Sequence, residues 1–344
     1  MAENSILGIK HPERPCMKVC MMGPRAVGKT TILTAVFNET QQQIVGTELK
    51  LTERGDTGNI LLERKRELKS IFKKHGDISS VGINATSAEG LFQFSFGILG
   101  KNPSIDIDIK DFPGEYVESD PERIIQFIKD SAAVFLAVDT PHLMERDGEF
   151  NEVKNKTTII TEFFETAIYS IDSEKLIIII PLKCEKYFHE DRMPEVLSRV
   201  EDVYGKLISI FEQNPKVCCS IAPILTLGGV EFDSFDYDKD GNVNLFVDGN
   251  PNNVHYKYAG DKVYAPLFCS QPLYALLSFV AAQYSRECRD SSIWERIKKI
   301  LFNVFKTDNK LFEEILKMEK YRISDNPQLG YEVVSGGELF NYNH

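Results

Sequence analysis

The segment Gly23-Pro24-Arg25-Ala26-Val27-Gly28-Lys29-Thr30 fits the spacing G-x-x-x-x-G-K-[ST], which few folds can accommodate. Met17-Lys18-Val19-Cys20-Met21-Met22 before it reads as a short buried strand. Thr31-Ile32-Leu33-Thr34-Ala35-Val36-Phe37 after it reads as the first turns of a helix. A strand, a glycine loop and a helix place successive backbone N–H groups at a helix N-terminus, where they cradle an anion. Lys29 adds a point charge toward the β- and γ-phosphates, and the Thr30 hydroxyl is a hard oxygen suited to Mg²⁺. Gly23, Pro24, Arg25, Ala26, Val27, Gly28, Lys29, Thr30 and Thr31 are therefore the candidate phosphate-binding residues. The expected ligand is a nucleoside triphosphate, with Mg²⁺ as cofactor.

The 344 residues suffice for one large domain with insertions or two small ones. A net charge of −11 argues against a broad nucleic-acid footprint, which needs a basic face. No apolar run reaches the roughly 18 residues of a transmembrane helix. Residues 1–14 are polar, read as a flexible N-terminus, and lack the apolar stretch of a signal peptide. The seven cysteines are scattered without a C-x-x-C pair, which fits a reducing, cytoplasmic setting and gives no zinc-binding spacing.

Along the chain, residues 40–58 read as a polar stretch and Asn59 to His75 as a charged helix. Leu91 to Ile98 and Ile105 to Lys110 both alternate, and the turn between them predicts a hairpin. Ala132 to Val138, ending at Asp139, and the aliphatic run Leu176 to Ile180 read as strands buried on both faces. Helical patterning covers Lys156 to Ser170, Met193 to Glu212 and Leu267 to Arg286, with a strand at Val217 to Leu225. Strands alternating with helices imply a parallel sheet wrapped by helices. Gly228 to Asp261 breaks the rhythm and reads as an inserted hairpin or long loop. Stripes at Trp294, Ile297, Leu301, Val304 and Phe305, and at Leu311, Ile315 and Met318, read as helical packing faces, followed by a loose tail.

Asp111-Phe112-Pro113-Gly114 directly follows the second strand of the hairpin and fits D-x-x-G, in which the Asp holds Mg²⁺ through water and the Gly amide senses a γ-phosphate. With the phosphate loop, it makes the chain resemble the Ras-like, translation-factor-related (TRAFAC) class of P-loop GTPases. More narrowly, D-F-P-G-E, P-L-K-C-E, T-L-G-G at Thr226 and P-L-F-C-S-Q-P-L at Pro266 resemble bacterial double-GTPase-type proteins associated with conflict or defence systems. The resemblance covers residues 16 to 285. It implies a three-layer α/β/α sandwich, whose mostly parallel sheet carries one antiparallel strand, and C-terminal helices. The expected organisation is a GTPase domain over 15–288, with insertions at about 40–85 and 228–265, and a helical extension over 289–344.

The resemblance also implies a guanine-reading motif after a later strand. Here that position holds Leu182-Lys183-Cys184-Glu185. Lys183 would lie against the base and Glu185 would replace the family's Asp, while Leu182 departs from the expected polar residue. Thr226 and Leu227 would supply the last base-contacting loop. A switch threonine reaching Mg²⁺ could be Thr47, Thr52, Thr57 or Thr86, and Thr86 is preferred because it precedes the hairpin. The metal set is then Thr30, Thr86 and Asp111. The catalytic candidates are Lys29, Arg25, Glu115 and Thr86. Glu115 stands where relatives position water with Gln. Arg25 stands beside the γ-phosphate, where an arginine finger contributes about 10³–10⁵ in rate. Arg123 is a lesser finger candidate. The calcium-like run Asp236-x-Asp238-x-Asp240-Gly241 has Val247 where a loop Glu is required and reads as a hairpin turn.

The expected activity is slow hydrolysis of GTP to GDP and phosphate in a nucleotide-controlled switch, stimulated by a protein effector or by nucleotide-dependent self-association. The alternatives are a hydrolysis-deficient nucleotide-binding scaffold or sensor, and an ATPase.

Overall fold

The computed structural model describes residues 14–73, 78–79, 90–240, 242–243, 254–287, 309–322 and 331–340. The chain runs β1 (Cys16–Met22), α1 (Lys29–Gln43), β2 (Leu49–Arg54), α2 (Thr57–Ile71), β3 (Ile78–Ser79), β4 (Gly90–Ile98) and β5 (Ile105–Asp111). It continues through α3 (Tyr116–Ser119), α4 (Pro121–Asp130), β6 (Ala133–Asp139), α5 (Thr140–Met144), α6 (Asn151–Asn155), α7 (Thr157–Ile168) and β7 (Lys175–Leu182). Then follow α8 (Glu185–His189), α9 (Met193–Val203), α10 (Gly205–Glu212), β8 (Val217–Ile221), β9 (Val230–Phe235) and β10 (Val254–Tyr258). The last elements are α11 (Gln271–Glu287), α12 (Asn309–Arg322) and β11 (Glu332–Ser335).

One sheet has the order β11-β8-β7-β6-β1-β5-β4-β2. Pairing is parallel from β8 through β7, β6 and β1 to β5. The hairpin partner β4 runs against β5. Alternation decides which residues meet which layer, because successive side chains leave a strand on opposite faces. Along β7, Leu176, Ile178, Ile180 and Leu182 join the core under α1 and α11, while Ile177 and Ile179 join the core under α4, α7 and α10. β6 divides in the same way, with Phe135 on the first face and Leu136 on the second. The result is the expected three-layer α/β/α sandwich.

Three features depart from the sequence reading. β2, inside the stretch read as polar, pairs with β4 as an edge strand, burying Leu49 and Leu51 while Lys50 stays exposed. Met193 to Glu212 is two helices, separated at Tyr204. The tail read as loose contributes β11, a second reversed strand that pairs with β8. Gly228 to Asp261 supplies β9 and β10, which pair with β3 as a small second sheet. The hairpin turn read at Lys239 is closed by Asp238, whose amide donates to the Asn242 carbonyl and whose carboxylate accepts from the Asp240 and Asn242 amides. Residues 1–13, Thr86, Val247 and the stripe from Trp294 to Phe305 lie outside the described residues.

Among the described residues, no helix is long and apolar enough to cross a membrane.

Candidate functional site

The C-terminal ends of β1, β5, β6 and β7 converge where β1 lies between β5 and β6, the point at which open α/β sheets bind ligands. The loop from Gly23 to Gly28 emerges from β1 there. Gly23 has φ 147°, and a Cβ on it would lie 2.6 Å from the Ala137 carbonyl oxygen of β6. Gly28, at φ 112°, ends the loop, and α1 starts at Lys29 without a side-chain cap. Gly28 has no side chain to cap the helix, and a helix N-terminus is suited to an anion. Pro24, Ala26, Val27 and Thr31 complete the loop and first turn; Ala26 has φ 56°.

The Lys29 ammonium donates to the carbonyl oxygens of Gly23 (3.1 Å) and Pro24 (3.2 Å). Burial pulls its pKa down, opposed by the charges of Asp111 and Glu115. Thr30 Oγ1 donates to Asp111 Oδ2 at 3.2 Å, joining the phosphate loop to the D-x-x-G strand. Asp111 is 3% exposed, and among the described residues its Oδ1 has no hydrogen-bond partner. Burial raises its pKa, against the Lys29 charge and the Thr30 hydroxyl. A buried carboxylate with one oxygen unsatisfied beside a hydroxyl is a hard-oxygen pair suited to Mg²⁺. Among the described residues, no three His, Cys, Asp or Glu side chains form a metal cage of their own.

Arg25 and Glu115, read separately from the sequence, face each other: Arg25 Nη1 lies 3.1 Å from Glu115 Oε1. Arg25 Nε and Glu115 Oε2 are buried without partners. Gly114 seats the loop after β5 on the phosphate loop so closely that a Cβ would fall 2.2 Å from the Arg25 amide nitrogen. Arg123 lies over the Tyr116 ring, 5.8 Å from its centroid. The hydroxyl of Thr47 donates to the Ile44 carbonyl and that of Thr52 to the Ser95 carbonyl, while that of Thr57 accepts from the Gln93 amide. These three threonines hold local backbone.

Beyond the end of β7, Glu185 Oε1 accepts from the amides of Leu227 (2.8 Å) and Gly228 (3.3 Å), so both segments read as guanine-binding meet at one carboxylate. Burial raises the Glu185 pKa, against those amides. Thr226, in the same loop, is buried. Lys183 adopts φ 63° and donates to Asp139 Oδ2 at 2.7 Å. Its ammonium lies 5.8 Å from the centroid of the Tyr256 ring. Asp139, at the end of β6, is fully buried, and His142 Nδ1 lies 2.6 Å from its Oδ1. Burial works to raise the Asp139 pKa, but Lys183 and His142 prevail and hold it well below the usual range. Leu182 is fully buried, and its Cδ1 lies 4.0 Å from where a Cβ on Gly28 would stand. The polar residue expected at position 182 is thus replaced by an apolar prop beneath the phosphate loop.

Sequence reasoning missed three residues of this neighbourhood. Lys154 on α6 is 3% exposed and donates to the Arg25 carbonyl at 3.0 Å. Burial pulls its pKa down to about 7, against Asp139. Asp139 was visible only as the end of a strand, and Tyr256 arrives from β10. Nothing in the local sequence of Lys154 or Tyr256 separates them from ordinary surface residues.

No family model and no curated protein sequence matches the chain. Solved structures do match. The S. cerevisiae Ski7 GTPase-like domain bound to GTP aligns at 15% identity and TM-score 0.40, over 62% of this chain and 43% of that one. The same domain bound to GDP and inorganic phosphate aligns at 14% and 0.32, over 69% and 47%. Sup35 complexed with GDP aligns at 11% and 0.30, over 65% and 40%. This chain therefore spans less than half the length of each.

Proposed function

We propose that this protein binds a Mg²⁺-complexed guanine nucleoside triphosphate, hydrolyses it slowly to the diphosphate and phosphate, and works as a nucleotide-controlled switch. The observation that carries the reading is the Thr30–Asp111 hydrogen bond, with Asp111 Oδ1 buried and unpartnered beside the phosphate loop. Thr30 and Asp111 would hold Mg²⁺, which would neutralise phosphate charge. The backbone of residues 23–30 binds the phosphates and Lys29 swings from its own loop carbonyls to them. Gly114 carries γ-phosphate occupancy into the segment ahead of α3. Guanine as the base rests on the resemblance of Leu182-Lys183-Cys184-Glu185 to a base-reading motif. Glu185 Oε1 already accepts from the Leu227 and Gly228 amides, so the base would have to displace them or use the other oxygen.

Slow chemistry follows from Glu115. A carboxylate beside a γ-phosphate is repelled by it, and here it is engaged by Arg25. That pairing also supports the second reading, a nucleotide-binding scaffold or sensor that does not hydrolyse. A protein activator, or a second copy of the chain, would supply what Glu115 withholds. Membership of the bacterial double-GTPase type, with a role in defence, rests on the D-F-P-G-E, P-L-K-C-E and T-L-G-G segments. Single-turnover hydrolysis of pre-bound GTP separates the two readings. Decay lost in Lys29→Ala supports the enzyme, and unchanged GTP over hours leaves only the binding module.

A further inference from the structure

We propose that the Glu115 carboxylate occupies the place of a γ-phosphate against Arg25, so that triphosphate and diphosphate are told apart by whether the nucleotide can displace it. The inference rests on the nucleotide-binding reading above.

Among the described residues, Glu115 Oε1 is held by Arg25 Nη1, at 3.1 Å, and Arg25 Nε is buried without a partner. A guanidinium offers a planar fork that a phosphate engages through two parallel hydrogen bonds. The carboxylate meets a single nitrogen of the guanidinium, and among the described residues Glu115 Oε2 is itself buried without a partner. The Glu115 charge also opposes the fall in the Lys29 pKa. Both side chains are about one-third exposed, at 35% and 39%, and a pair that open to water is held weakly.

A γ-phosphate brings more negative charge and three acceptor oxygens, and can engage two guanidinium nitrogens where Glu115 engages one. A diphosphate ends short of it and leaves the pair closed. Gly114 is packed on the Arg25 backbone and α3 begins at Tyr116, so the displaced carboxylate is flanked by both.

The test is the ratio of dissociation constants for GDP and the slowly hydrolysed analogue GTPγS. It is measured in wild type, Glu115→Gln, Glu115→Asp and the double variant Arg25→Gln/Glu115→Gln. Removing the competing carboxylate should tighten GTPγS on the order of tenfold and leave GDP nearly unchanged. Glu115→Asp should move the ratio back toward wild type, and the double variant should lose the gain. Binding of both nucleotides with the ratio within twofold of wild type in Glu115→Gln overturns this inference alone. Failure of wild type to bind either nucleotide overturns the functional reading and this inference with it.

Discussion

Replacing Asp111 with Asn should strengthen the nucleotide-free fold while disabling the site. Asp111 is 3% exposed and one carboxylate oxygen lacks a partner. Its folded pKa is raised above 3.8 because burial outweighs the attraction of Lys29 and the Thr30 hydrogen bond. The sign follows from proton linkage: a carboxyl whose folded pKa is raised supports the fold below its unfolded pKa, and that support is lost as pH rises through the folded value. At neutral pH the charge therefore costs stability, on the order of 1–2 kcal/mol for a buried, incompletely satisfied group. Asn is nearly isosteric and carries no charge. At about 2–4 °C per kcal/mol, the variant should melt a few degrees higher at pH 7. The difference should vanish below about pH 4, where both forms are neutral. Nucleotide affinity in Mg²⁺ should fall by about 10–100-fold, the usual cost of losing an outer-shell partner of a metal. Thermal melts across pH and titrations with and without Mg²⁺ measure both quantities. A variant that melts several degrees lower and keeps its Mg²⁺ dependence would refute the reasoning, because Asp111 would then be a structural carboxylate.

Two further outcomes follow from the geometry. Gly114→Ala places a Cβ 2.2 Å from the Arg25 nitrogen and 2.7 Å from the Pro24 carbonyl carbon, both rigid backbone. The loop should lift from the phosphate loop at a cost of about 1–3 kcal/mol, read as faster proteolysis between residues 112 and 119; unchanged proteolysis would contradict the packing. Lys154 titrates near 7 in the fold and at 10.5 when free, so the unfolded chain binds more protons between those values and stability rises with pH across that window. Denaturant unfolding at pH 7 and 9.5 should show a gain on the order of 3 kcal/mol from this group, absent in Lys154→Met. An equal pH slope in both proteins would place the charge elsewhere.

The fold was legible wherever burial on both faces wrote itself as an unbroken aliphatic run, as in β6 and β7, or where alternation marked one covered face, as in β4 and β5. β2 was not, because an edge strand needs only Leu49 and Leu51 inside and carries Lys50, Glu53 and Arg54 at the border. β11 was hidden for the same reason: four residues at a sheet edge leave no period to read. The phosphate loop and Asp111 were legible because backbone geometry there demands particular residues at fixed spacing. The pairing of Arg25 with Glu115 was not, since each residue alone looked like a departure from the family pattern and only the fold sets them face to face. The Lys183–Asp139–Tyr256 cluster draws on the turn after β7, the end of β6 and β10, which lie far apart in the chain, so no window of sequence contains it. The reason for an apolar residue at Leu182 is its contact beneath Gly28, which lies far away in the sequence.

The most direct test of the account is calorimetric titration of nucleotide-free protein with GDP and with ADP in Mg²⁺, repeated in Glu185→Ala. The account predicts GDP preferred by at least about tenfold, or about 1.4 kcal/mol, with the preference lost in the variant. Equal binding, or a preference for ADP that Glu185→Ala leaves untouched, would make Lys183 and Glu185 only the end of β7 and contradict the guanine-nucleotide reading.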